Sequence, residues 1–68
     1  MLTIEEFNEA AEHYRLQWLS EAAPISGMLL HKDYACWHCS FEGLLIEVRC
    51  ELEWHFPFID VVAVGEVH

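Results

Sequence analysis

From Leu44 to Trp54 the chain alternates with a period of two. Leu44, Ile46, Val48, Cys50, Leu52 and Trp54 fall on one side, and Leu45, Glu47, Arg49, Glu51 and Glu53 on the other. Only extended backbone has this period, because successive side chains of a strand point to opposite faces whereas a helix repeats every 3.6 residues. The pattern predicts a half-buried strand, opened by Gly43, with one face on a core and one in water. The wet face carries three carboxylates around a single cation.

A strand with one apolar face needs a covering layer, and the first third of the chain supplies one. Thr3 followed by Glu6 forms a capping box, in which each side chain satisfies a free backbone donor of the other. Ile4, Phe7, Ala11, Tyr14, Trp18 and Ala22 then recur on one helical stripe, so Thr3 to Ala22 reads as one amphipathic helix. Glu5, Glu9 and Glu12 lie opposite the stripe, closed by Leu16 with Leu19 near it. Pro24 and Gly27 mark a connector over Ala23 to Gly27. Met28 to Lys32 reads as a first strand, Lys32-Asp33 as a turn, Tyr34 to Phe41 as a second strand and Glu42-Gly43 as a hairpin turn. After a break at His55 to Pro57, Phe58 to Val67 forms a last strand. Its centre is apolar on both faces except for Asp60, which predicts a strand inside the sheet or covered twice. All connections are short, as an antiparallel meander requires. The expected fold is α+β: a single domain, 1–68, with one N-terminal amphipathic helix packed on a three- to four-stranded antiparallel sheet.

Sixty-eight residues bury only about 60% of the surface their unfolded chain exposes. Small domains of this kind draw on a metal, disulfides or oligomerisation. The hydrophobic fraction is 54%, so part of that surface is expected to stay exposed as an interface, and homodimerisation is one outcome. Twelve acidic residues face three basic ones, Arg15, Lys32 and Arg49, for a net charge of −9. That balance repels nucleic acid and anionic membranes and favours the basic surface of a protein. The N-terminal residues lack the basic and apolar regions of a signal peptide, and no apolar run reaches the roughly 20 residues of a membrane span. Three cysteines do not make a secreted disulfide framework, which points to a reducing cytoplasm. With three glycines there is no phosphate-cradling loop, and the five histidines share no spacing, so the chain reads as a binding protein and not an enzyme.

The segment Tyr34 to Gly43, Y-A-C-W-H-C-S-F-E-G, resembles one knuckle of a zinc ribbon and makes Cys36 and Cys39 candidate zinc ligands. The second pair would be Cys50 and His55, giving C-x2-C-x10-C-x4-H. Two features oppose it. Cys50 belongs to the apolar side of its strand, with His55 projecting from the other, and the enclosed Trp37-His38 lacks the Gly or Pro usual in such knuckles. The alternative is that Cys39 and Cys50 are small buried hydrophobes. A thioredoxin-like role would need a helix after the pair, where a strand and turn are expected.

The acidic rows remain. Outward residues two apart on a strand are separated by about 6.6–6.8 Å, and Glu5 and Glu9 by about 6 Å along a helix. Both intervals are of the order of the spacing of neighbouring phosphates on a nucleic-acid strand. In length, acidity, a helix on a short sheet and lack of a catalytic motif, the chain resembles the small inhibitors that phages encode against bacterial defence, anti-CRISPR proteins in particular. That resemblance implies stoichiometric inhibition of a nucleic-acid-binding effector in the host cytoplasm by a DNA mimic. Glu47, Glu51 and Glu53 with Glu5, Glu9 and Glu12 would meet Lys and Arg of the target, and Trp37 or His55 would supply an anchor. Two other classes fit: a zinc-ribbon-like protein-binding adaptor, and an immunity- or antitoxin-type partner of a basic protein.

Overall fold

A computed structural model of the chain describes residues 1–51 and 58–68. Leu52, Glu53, Trp54 and His55, and with them the end of the alternating strand, lie outside the described residues. Two helices, α1 (Ile4–Glu9) and α2 (Glu12–Glu21), precede five strands: β1 (Ala23–Pro24), β2 (Leu29–Leu30), β3 (Tyr34–Phe41), β4 (Leu44–Glu51) and β5 (Phe58–Glu66). The fold is α+β, helices on an antiparallel sheet.

The sheet is built on β3 and β4, paired from Tyr34↔Glu51 to Phe41↔Leu44. Their connection is the two-residue turn Glu42-Gly43, with φ of +49° and +80°. Positive φ at both positions gives a type I′ turn, whose twist matches that of the strands it joins. β5 flanks β4, and the two-residue strands β1 and β2 pair in succession along the other edge of β3. One irregularity interrupts the β4–β5 ladder: Leu45 faces Gly65 but Ile46 faces Ala63, so Val64 is an extra residue.

The alternation of β4 is realised as expected in its described part. Leu44, Ile46 and Val48 are buried, Val48 completely (0% exposed), together with Phe7, Cys39, Val61 and Ala63. Trp18 of α2 stacks on Phe41 at 5.8 Å between ring centroids, and Phe7 of α1 lies 5.4 Å from Trp18. These rings fasten both helices to the inner face of the sheet, leaving the Glu47 side of β4 open.

The helical segment departs from the single helix of the sequence reading. Ala10 and Ala11 are extended, with ψ of 151° and 147°, so the chain breaks into two helices. The break frees the Asn8 carbonyl from the helical ladder, and the Arg15 guanidinium donates to it at 2.6 Å. The Thr3–Glu6 capping box is present as expected. In α2 the inward side chains are Trp18 and Leu19, whereas Tyr14 and Leu16 are exposed.

The last strand is at the sheet edge, not inside it. Asn8 covers it: its Nδ2 donates to the Ala63 carbonyl at 3.1 Å, and its Oδ1 accepts from the Ala63 N–H at 2.8 Å. An amide side chain thus occupies, at one residue, the position of a neighbouring strand, which blunts an edge open to pairing.

Candidate functional site: two charged layers on opposite faces

The open face of the sheet carries Tyr34, Cys36, His38 and Ser40 of β3 opposite Glu51, Arg49, Glu47 and Leu45 of β4. Glu47 is held between two nitrogen groups: Arg49 lies 3.3 Å from one carboxylate oxygen and His38 Nε2 3.6 Å from the other. Arg49 also lies 4.6 Å over the Tyr34 ring and faces Asp60 in register. A pairing of Arg49 with Glu47 or Glu51 follows from the strand pattern, and Glu47 is the partner. At an exposed site such a pair contributes under about 1 kcal/mol. Its larger effect is electrostatic: the middle of the strand row is locally neutralised, leaving Glu51 as its exposed carboxylate without an ion-pair partner among the described residues. Glu53 lies outside those residues.

The helical layer is different. Glu5, Glu9 and Glu12 are all exposed, and among the described residues no cation lies within ion-pair distance of them. Glu5 and Glu9 share α1. Glu12 opens α2, where the positive end of the helix dipole favours a carboxylate. Arg15, the one basic residue of the two helices, is engaged with the Asn8 carbonyl. Glu12 and Arg15 also line a shallow cleft with Leu16, Ile59, Asp60 and Val61, so the acidic surface continues from the helices onto the β5 edge. The helix row and the strand row occupy opposite layers, and Asp60, in register with Arg49, lines the cleft that Glu12 also lines.

β3 separates the two cysteines of the C-x-x-C. In an eight-residue strand, positions three apart face opposite ways: Cys39 sits in the core beneath the helices, and Cys36 on the open face. A zinc knuckle needs a tight turn there. Burial pushes the Cys39 thiol up from its ordinary value, partly countered by its contact with Trp37, which makes it an inert apolar side chain. Cys50 is a half-buried free thiol on the core side. Trp37, offered as an exposed anchor, packs half-buried against the core instead, and the other anchor, His55, is outside the described residues.

Three participants escape the sequence reading. Asn8 and Arg15 hold the helices in place, and His31 sits with Nε2 3.6 Å from the Cys36 sulfur while its ring stacks on Tyr34 at 4.3 Å. An Asn between Phe7 and Glu9, in a helical stripe, is the one visible hint, since Asn is a poor helix former that bonds readily to main chain. Among the described residues, no helix is long and apolar enough to cross a membrane. Comparison with protein families, with characterised proteins and with solved structures gives no match.

Proposed function

We propose that this is a small acidic binding protein that inhibits a nucleic-acid-binding effector by occupying its cationic surface, as anti-CRISPR-like inhibitors do. The helical layer makes the main contact. The observation that carries this reading is the contrast between the two rows: Glu5, Glu9 and Glu12 are exposed and unpaired among the described residues, while Glu47 is engaged by Arg49 and His38. Unpaired carboxylates on the two helices steer a basic partner at long range and gain counter-charge on docking, whereas Glu47 would first have to leave the Arg49 guanidinium and the His38 imidazole. Leu16 and Tyr14, exposed on α2, offer apolar contact that charge alone does not supply. The site of action is the cytoplasm of the host cell, where the three free thiols stay reduced.

An immunity-type partner of a basic protein shares the charge but not the competition with nucleic acid, and that difference is the test. The immobilised protein is loaded with its captured partner and challenged with duplex DNA or with single-stranded RNA. Release of the partner by either nucleic acid, at constant ionic strength, supports the mimic. Retention through both challenges contradicts it.

A further inference from the structure

The contact of Asn8 with Ala63 fixes how the rest of the β5 edge is turned. Both main-chain groups of Ala63 face away from β4, since the N–H donates to Asn8 at 2.8 Å and the carbonyl accepts from it at 3.1 Å. Along an antiparallel strand, the groups directed to one side recur at every second residue. The ladder runs in unbroken register from Ala63, opposite Ile46, to Ile59, opposite Cys50. Val61 and Ile59 therefore also direct their N–H and C=O groups outward. No hydrogen-bond partner meets these groups among the described residues. Asn8 blunts the edge at one residue, and beside it two donors and two acceptors stand ready for a further strand.

The shallow cleft of Glu12, Arg15, Leu16, Ile59, Asp60 and Val61 follows this same stretch. Ile59 and Val61 belong to the core side of β5 and Asp60 to the open side, so the cleft wraps the edge. Its charge is net negative. Glu12 and Asp60 are exposed, with no cation in ion-pair distance among the described residues. The Arg15 guanidinium is turned instead to the Asn8 carbonyl, at 2.6 Å. A strand added here sends successive side chains to alternate sides. One lies along Leu16 with its head at Glu12, as the apolar stem and charged end of Lys or Arg allow, and the next meets Asp60. We propose that the β5 edge at Ile59 and Val61 receives, by strand addition, a short extended segment of the basic protein partner carrying two consecutive Lys or Arg residues. The inference rests on the acidic-binding-protein reading above and adds main-chain pairing to it. A second copy of the chain is the poorer occupant, because it brings a further net charge of −9 to an acidic edge.

The test titrates the isotope-labelled full chain with the end-blocked peptide Thr-Val-Arg-Lys-Val-Thr. A second titration uses the same peptide N-methylated at Arg and Lys, which keeps the charge and removes the strand donors. The expected result is slowed exchange of the Ile59 and Val61 amides on binding. The methylated peptide should bind at least about tenfold more weakly, the effect of hydrogen bonds left unmade. Ile59→Pro deletes an outward N–H, which an edge strand tolerates, and should weaken the parent peptide without changing the circular dichroism. Glu12→Gln with Asp60→Asn should weaken it and flatten its salt dependence. Equal binding of the two peptides, no binding of either, or unprotected Ile59 and Val61 amides would each overturn the proposal. So would a dimer in light scattering that Ile59→Pro dissolves, since a second copy would then hold the edge. No nucleic acid enters this titration, so a failure here leaves the displacement test of the inhibitor reading to be decided separately.

Discussion

The side-chain amide of Asn8 pairs with the main chain of Ala63 through two hydrogen bonds, at 3.1 and 2.8 Å, across 55 positions of sequence. The pairing fastens α1 to the free edge of β5 and places the Glu5 and Glu9 carboxylates. It also makes the helix break tolerable, because Arg15 donates to the carbonyl of the same residue. Removing the amide unpins a helix and leaves an N–H and a carbonyl of β5 without partners.

Asn8→Ala is therefore expected to destabilise the fold by about 1–3 kcal/mol, the usual effect of stranding part-buried polar groups. Asn8→Asp keeps the acceptor for the Ala63 N–H but sets a carboxylate against the Ala63 carbonyl, and should be no more stable than Asn8→Ala. Urea denaturation of the three proteins checks both statements. An Asn8→Asp variant as stable as the parent would show that the donor half of the pair contributes nothing.

The hairpin turn offers a test in both directions. Gly43 has φ +80°, so Gly43→Ala forces a Cβ into the left-handed region at about 1–2 kcal/mol. Glu42, at φ +49°, already bears that strain. Asn is favoured in the first position of this turn, and Glu42→Asn is expected to stabilise by about 0.5–1 kcal/mol. Thermal melts should move in opposite directions for the two variants.

Cys39 sets an alkaline signature. Its folded thiol titrates above the ordinary thiol value because burial disfavours the thiolate. Its contribution to stability is fully present below the unfolded pKa and is lost as pH rises through the folded one. Between the two, the unfolded state has released a proton that the folded state keeps. Stability then falls as pH rises through that window. Cys39→Ala should remove that slope while lowering stability at neutral pH. Denaturation midpoints of both proteins from pH 8 upward measure it, and equal slopes would contradict the assignment.

The β3–turn–β4 hairpin was legible because three local signals agree: a strict period of two, a turn ending in Gly43, and apolar residues that match across the pair, such as Cys39 with Ile46 and Trp37 with Val48. The helix break was not legible. Ala10 and Ala11 are strong helix formers, and the break is stabilised by contacts distant in sequence, the Asn8–Ala63 pair and the packing of Phe7 and Trp18 on Phe41. β5 misled for a related reason. An apolar run on both faces suggests a strand that is inside the sheet or covered twice; β5 is at the edge, where a single amide from a helix covers it at Ala63. The positions of the acidic residues could be read from the chain, but not which were free. The register that sets His38 opposite Glu47 decides that, and it also explains why a C-x-x-C in a straight strand cannot close on one ion.

The central claim, that the helical carboxylates meet the basic partner, is tested most directly by the salt dependence of partner binding. The comparison is between the parent protein, a Glu5→Gln/Glu9→Gln/Glu12→Gln variant and a Glu47→Gln/Glu51→Gln variant. Log Kd plotted against log salt concentration should have a steep slope for the parent. The slope should flatten, with at least about tenfold weaker binding at low salt, when the three helical charges are removed. It should stay near the parent's when the strand charges are removed. The reverse ranking, or three coincident slopes, would contradict the account.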